Sequence, residues 1–387
     1  MTRTPADTPT LDLARALIRA PSPSKRETPA AIVLRDAMRS HGFDEAWIDE
    51  AGNALGILRR GEGPTLMLNG HIDTVPTGDE TLWPHPPLEG VVADGRLWGR
   101  GASDMKSSLA CMVVAAAEAA QRGFSGTILV AGVVQEEIGG LGARWLAEHH
   151  EPDLIILGEP SKMHFKLGHR GRIEVDVHLP GQIAHAAKAE LGENALYRAA
   201  RYLEKLEALD LPSGGPLGAS TATPTRLRSL PEDGANVVPG EAILTIDYRN
   251  LPSDPPEEVL ARLAALDPDA TLHVSDEHAV SENGEIERHF PRINAAYLAP
   301  GENTWTSAVR NALRDILPKH GLPFEEGTWW FATDAPHLAS RGAIVLGLGP
   351  GEEELAHTTR ESVRTDMLEI ATATYRDLLL ALLPEAS

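Results

Sequence analysis

A single cysteine, Cys111, stands among 387 residues, so no internal disulfide can form. Its neighbours Leu109, Met112 and Val113 mark a buried helix position, and such a chain suits a reducing cytoplasm. Positive charge is scarce as well: 35 Lys and Arg against 56 Asp and Glu give a formal charge of -21. No basic block offsets it, so phosphate backbones are repelled and nucleic acid is excluded as a partner. Long apolar runs are missing. The longest, Leu109 to Ala120, is broken by Glu118 and falls well short of the roughly 20 residues a membrane-spanning helix needs. The N-terminal stretch scatters Asp7, Asp12, Arg15 and Arg19, lacks the unbroken apolar segment of a secretory signal, and reads as mature sequence. Internal repeats and low-complexity tracts are absent.

What is present is the material for two domains, since 42% of the residues are hydrophobic and the length exceeds that of one typical core. TLMLNG from Thr65, GTILVAGVV from Gly126, DLIILG from Asp153 and AIVLGLG from Ala343 are nearly continuous apolar strands bounded by turn residues. Such runs belong to a sheet covered on both faces. Helices are predicted near 29–40, with Thr28 as cap and Pro29 at its start, and over Ser107 to Gln121. Lys106 is expected on the surface of the second. Strands alternating with helices give an α/β domain with a mostly parallel sheet flanked by helices.

The middle of the chain follows another rule. RIEVDVHL, from Arg172, alternates Ile173, Val175, Val177 and Leu179 with polar residues, as a strand wet on one side does. A helix near 194–208, strands TPTRLRSL and EAILTIDYR, a helix in SDPPEEVLARLAAL and a strand ATLHVSD follow. The order β-α-β-β-α-β is ferredoxin-like. Residues 165–290 are therefore expected as an inserted ferredoxin-like α+β domain, with 1–164 and 291–387 forming the two parts of the larger domain.

Ligands of open α/β sheets bind beyond the carboxyl ends of the strands. His71 and Asp73 end the first apolar strand, Glu136 and Glu137 the second, Glu159 the third, and His357 follows the fourth by a short loop; Asp104 precedes the Ser107 helix. Imidazole and carboxylate together suit zinc, and a cluster this rich in carboxylate holds two ions if one carboxylate bridges them. Two dications against Asp104, Glu137 and Glu159 leave net positive charge, which a hydrolytic site needs to attract hydroxide and a developing oxyanion. The Asp73 carboxylate, two residues from His71, is expected to accept the second ring N–H and fix the tautomer. Glu136 and Glu137, read as neighbours on an extended segment, should diverge, leaving one to ligate and one to move protons.

HIDTVP, GRGASDMK, VVQEEIGG, LGEPS and AHTTRE occur in this order, with GQIAHAAKAELGENA between the last two. Across essentially the whole chain this set resembles the dizinc amidohydrolases and peptidases that include acetylornithine deacetylase, succinyl-diaminopimelate desuccinylase, aminoacylase and glutamate carboxypeptidase. The resemblance implies a zinc-peptidase-like catalytic domain carrying an inserted lid and dimerisation domain. It implies two zinc ions, with cobalt or manganese as substitutes: Asp104 bridging, His71 and Glu159 completing one site, Glu137 and His357 the other. Glu136 would be general base toward a metal-bridging water and then general acid to the leaving amine. His185 would steady the oxyanion from the partner subunit of a homodimer, Arg249 would grip the substrate carboxylate, and Asn236 lies in a further matching segment. The implied function is removal of an acyl group from an N-acyl amino acid. A carboxypeptidase or dipeptidase acting on a short peptide is the close alternative, and a catalytically inactive binding module on the same fold the distant one.

Overall fold

The computed structural model describes residues 8–384. At the centre of a nine-stranded sheet, Gly126–Val133, Thr65–His71, Leu154–Leu157 and Ile344–Gly347 lie side by side in that order and run parallel. Ala54–Arg60 and Glu45–Ile48 extend one side, Phe165–His169 and Tyr297–Leu298 the other, all by antiparallel pairing. Glu326–Trp329 pairs parallel to Phe165–His169. The sheet is thus mixed, which corrects the expectation of a mostly parallel one. At one edge the connection explains it, because the short turn joining Glu45–Ile48 to Ala54–Arg60 can link only antiparallel neighbours, whereas the central parallel pairs are separated by long helical crossovers.

Each central strand feeds two cores. Leu66, Leu68, Ile128, Val130, Leu154 and Ile156 belong to the core shared with helices Pro9–Ile18, Lys106–Arg122 and Thr365–Leu382. Met67, Leu129, Ala131, Ile155 and Leu157 belong to the core on the other face, with helices Leu141–His149 and Ala335–Leu338. Both faces are dry, so the strand sequences have no polar alternation. Each such Leu or Ile contributes roughly 1.5–3 kcal/mol on burial.

Lys106 is not on a helix surface. It is buried, and its Nζ donates to the carbonyls of Leu17 and Ala20 at 3.0 and 2.9 Å. The ammonium satisfies the carboxyl end of helix Pro9–Ile18, and desolvation pushes its pKa down to about 7. Its helix is covered on several sides, which a local sequence window cannot reveal. Thr28 is likewise inside helix Thr28–Ser40 rather than capping it, and its hydroxyl donates to Glu282.

The smaller sheet has the order Thr221–Leu230, Glu241–Arg249, Arg172–Pro180, Thr271–Val274, every pair antiparallel. With helices Ala195–Glu207 and Pro256–Ala264 on one face, this is the ferredoxin-like arrangement. Ile173, Val175, Val177 and Leu179 are buried against Tyr202, Leu206, Val259 and Leu263, while Arg172, Glu174, Asp176 and His178 face away. Residues pairing in this sheet run from Arg172 to Asn294, whereas Phe165–His169 pairs in the larger one. A hairpin, Asp276–Val280 with Glu287–Pro291, closes the insertion, and its Phe290 lies within reach of Gly139 of the larger domain. Among the described residues no helix is long and apolar enough to cross a membrane.

Candidate active site and metal centre

His71 is the last residue of its strand, and Glu159 lies just past the neighbouring Leu154–Leu157, so parallel pairing delivers both to one edge of the sheet. Each follows a glycine with no room for a side chain. A Cβ on Gly70 would meet Met105 Cε at 2.2 Å, and one on Gly158 would meet Ser108 Oγ at 2.4 Å. The loop carrying Asp104 and the first turn of its helix therefore rest directly on the two strand ends. The Asp104–Met105 peptide is cis. Glu361, fully buried, holds this loop from beyond: one oxygen accepts the N–H groups of Gly101, Ser103 and Asp104 at 2.9, 3.1 and 3.1 Å, and the other pairs with Arg100.

Glu136 and Glu137 are on a 3-10 turn, Glu136–Ile138, rather than an extended segment. Gln135 enters it at φ 59°, a left-handed conformation unusual outside glycine, and His357 adopts another at φ 63°. Such backbone strain clusters at functional sites. The Asp73 carboxylate anchors the turn, accepting the N–H groups of Glu136 and Glu137 at 3.1 and 3.3 Å and the Ser24 hydroxyl at 2.7 Å. Its expected bond to the His71 ring is corrected. His71 Nδ1 faces the Asp73 main-chain carbonyl at 2.9 Å, with the carboxylate oxygen at 3.6 Å, because that carboxylate is drawn to the turn amides.

Asp104 is the centre of the cluster. Its Oδ1 is 3.0 Å from His71 Nε2, which lies 3.9 Å from Glu159 Oε1; its Oδ2 is 3.3 Å from His357 Nε2, which is 3.0 Å from Glu137. His71, Asp104 and Glu137 can offer ligand atoms to one ion. Around a tetrahedral zinc with bonds near 2.0 Å, ligand atoms lie roughly 3.3 Å apart, and the contacts of 3.0 to 3.9 Å in the cluster bracket that spacing. Glu159 Oε1 is buried without a hydrogen-bond partner among the described residues, an orphan acceptor facing the cluster. The residues present fit a zinc site on spacing, donor chemistry and this unsatisfied oxygen.

The electrostatics agree. Burial raises the Glu136, Glu137 and Glu159 carboxyls, neighbouring carboxylates adding to it, with Glu136 and Glu159 well above their usual range. Burial opposes protonation of His71, but the hydrogen bond to Asp104 and the charges of Glu159, Asp104 and Glu136 raise it well above its usual value. Hydrogen bonds to Asp104 and Glu137 raise His357 to about 10. A buried set of acids that competes for protons in this way is a set that a cation satisfies.

The cluster opens into a cleft of about 470 Å³, lined by Glu136, Glu137 and His357 on one side and by Arg249, Arg172 and Asn294 of the smaller sheet on the other. Arg249 is thus at the cleft, its Nε donating to Asp247 at 2.7 Å. His185 and Asn236 are not. They lie side by side on a separate short ladder, where Val237 pairs with His185 and the Asn236 carbonyl accepts the Ala186 N–H; both are exposed. A second grouping, His278, Glu287 and His289, is exposed on the closing hairpin, outside the cleft lining.

Two further residues of the site escaped the sequence reading. Asp334 is buried with an unpartnered Oδ2, and burial raises its carboxyl to about 7. It follows strand Glu326–Trp329, so the strand-end rule would have found it had EGTW been apolar enough to read as a strand. Glu361 was in view within AHTTRE, but nothing local marks a glutamate that binds backbone so far away in sequence.

Candidate metal ligands at strand ends, beside a cleft lined by arginines, are the arrangement of a metal-dependent hydrolase. Residues 67–381 match the model of Peptidase family M20/M25/M40, and the chain belongs to that family. The fold is shared with aminopeptidase PepT from Bacillus cereus, at 19% identity and TM-score 0.77 over 97% of this chain and 98% of that one. It is also shared with the M20 metallo-carboxypeptidase Sso-CP2 from Sulfolobus solfataricus, at 16% identity and TM-score 0.74 over 97% and 99%. The YXEP protein of Bacillus subtilis, described as a dinuclear metal binding peptidase, matches at 15% identity and TM-score 0.70 over 97% of each chain. The protein is accordingly an M20 hydrolase acting on amide or peptide bonds of small acyl-amino-acid or peptide substrates.

Proposed function

We propose that this enzyme is a dizinc deacylase that removes the acyl group from an N-acylated amino acid. The observation that supports two ions is the division of the cluster by Asp104, one oxygen toward His71 and Glu159, the other toward His357 and Glu137. Those five side chains are the proposed ligands, and cobalt or manganese would substitute. Bound zinc supplies Lewis acidity and a water acidic enough to attack at neutral pH. Glu136 makes no side-chain hydrogen bond among the described residues, lines the cleft and has a proton affinity raised by burial. It takes the proton of the attacking water and hands it to the departing amine. Asp73 keeps Glu136 and Glu137 in register through their N–H groups. Arg249, steadied by Asp247, holds the substrate carboxylate with its guanidinium fork.

His185 can serve this cleft as an oxyanion donor only from a second copy. The exposed Ile183 and Leu191 flank it, at 62% and 67% exposure, and Tyr197 at 70% follows; apolar surface of this kind supports a homodimer. Buried, unpaired Cys111 supports a cytoplasmic setting. The test is a panel of N-acetyl and N-succinyl amino acids beside matched dipeptides, with zinc per chain measured on the same sample. Hydrolysis of acylated amino acids with about two zinc ions is expected. Cleavage of dipeptides alone would replace the deacylase with the peptidase, and failure to bind metal would replace both with a binding module.

A further inference from the structure

Four guanidinium groups line the cleft: Arg144, Arg172, Arg249 and Arg292. Three have carboxylate partners. Asp247 engages Arg249 at 2.7 Å and Arg172 at 2.8 Å, and Glu277 engages Arg292 at 2.8 Å. Arg144 has none within 4 Å among the described residues; the buried Asp334 carboxyl acts on its charge from farther off without a hydrogen bond to it. It rises from the first turn of helix Leu141–His149, just beyond the turn that carries Glu136 and Glu137. Its Nε donates to the Gly139 carbonyl at 3.2 Å, and its guanidinium carbon lies 4.2 Å from the centroid of the Phe290 ring. Gly139 is itself pressed against that ring, since a Cβ there would come within 2.7 Å of it.

These contacts fix the guanidinium plane and leave its two terminal amino groups without hydrogen bonds among the described residues. A guanidinium keeps its proton in a protein, and partly burying an unpaired charge costs free energy that an anionic ligand returns. Two parallel N–H donors are the geometry that binds a carboxylate bidentately. We infer that Arg144 is a second anion subsite, reading a second carboxylate on the substrate while Arg249 holds the first. The preferred substrate is then a dicarboxylate, in which the acyl group or the amino-acid side chain ends in a carboxylate of its own. This rests on the cleft being the substrate site of the proposed amide hydrolase.

Matched pairs that differ only in that charge test it on the zinc-loaded enzyme: N-acetylglutamate against N-acetylglutamine, N-succinylalanine against its succinamoyl analogue, and Ala-Glu against Ala-Gln. The wild type should favour the acid in at least one pair by roughly 10-fold or more in kcat/KM, the scale of one charged hydrogen bond. Arg144→Gln should collapse that ratio toward one by losing the acid, and Arg144→Lys should restore part of it. Titration of glutarate or succinate into the same proteins gives a readout independent of turnover, and binding should weaken about 10-fold in Arg144→Gln. A wild type that treats acid and amide alike in every hydrolysed pair, or an Arg144→Gln protein that keeps preference and dicarboxylate binding, overturns the subsite. If no amide is cleaved at all, the deacylase reading fails, and the dicarboxylate titration alone decides the subsite.

Discussion

Replacing Glu361 with alanine removes the acceptor of three main-chain N–H groups together with the carboxylate that faces the Arg100 guanidinium. Both side chains are essentially sealed from water, at 4% exposure for Arg100 and 0% for Glu361. Breaking a buried ion pair from one side costs about 3 kcal/mol or more, and each stranded amide about 1 kcal/mol. Arg100 keeps the carbonyls of Pro76 and Thr358 and the face of Trp83, which limits the loss. A destabilisation of the order of 5 kcal/mol is expected, a large share of a typical domain's total. Urea unfolding of the zinc-saturated protein measures it, and zinc content after dialysis measures whether the Asp104 loop still presents its ligand. Two companions separate the contributions. Glu361→Gln retains an acceptor for the amides but loses the charge and sets an amide NH2, itself a donor, against the Arg100 guanidinium. Arg100→Met combined with Glu361→Ala relieves the stranded guanidinium and should recover about 3 kcal/mol. An alanine variant within about 1 kcal/mol of wild type, with full zinc, would refute the claim that this carboxylate holds the loop.

Glu136→Gln should abolish turnover while keeping metal, whereas His71→Ala and His357→Ala should lose metal as well, as metal analysis beside initial rates will report; equal metal retention in all three would reject the division of roles. Gly158→Ala forces a methyl to within 2.4 Å of Ser108 Oγ and 2.5 Å of Met112 Cε, so it should cost about 1–3 kcal/mol in urea unfolding and weaken zinc binding; an unperturbed protein would show that the strand ends do not support the Asp104 loop. Burial, then the charge of Asp73, raises Glu27 from 4.5 to about 8. Its folded pKa lies above its unfolded one, so its contribution to stability is full below about pH 4.5 and is lost as pH rises toward 8. Glu27→Gln should therefore flatten the fall in stability across that window, and parallel wild-type and variant curves would dismiss the effect.

The central strands were readable because a sheet covered on both faces writes itself as unbroken apolar runs, and the candidate ligands His71, Glu137 and Glu159 stood out because each falls where such a run stops, whereas Asp104 and His357 lie on loops. The same rule missed Asp334, whose strand is Glu326–Trp329 and carries Glu, Gly and Thr. Antiparallel edges were hidden since pairing direction depends on what lies between strands rather than on the strands themselves. Lys106 and Arg144 illustrate another limit: both are helix cations, and only tertiary neighbours make one a buried clamp on a distant helix end and the other a cleft cation without a direct carboxylate contact. Asp73 stood at the right place with the wrong bond, because the turn amides that claim its carboxylate arrive from another strand.

Gly70 and Gly158 divide the molecule into what can drift and what cannot. At both glycines the side chains of Met105 and its helix press straight onto strand main chain, so the reach from one strand end to the other is set by close packing that leaves no space for a further methyl. The opposite wall of the cleft is built from long, replaceable side chains. New specificities can accordingly accumulate there one residue at a time while the hydrolytic geometry beneath stays constant.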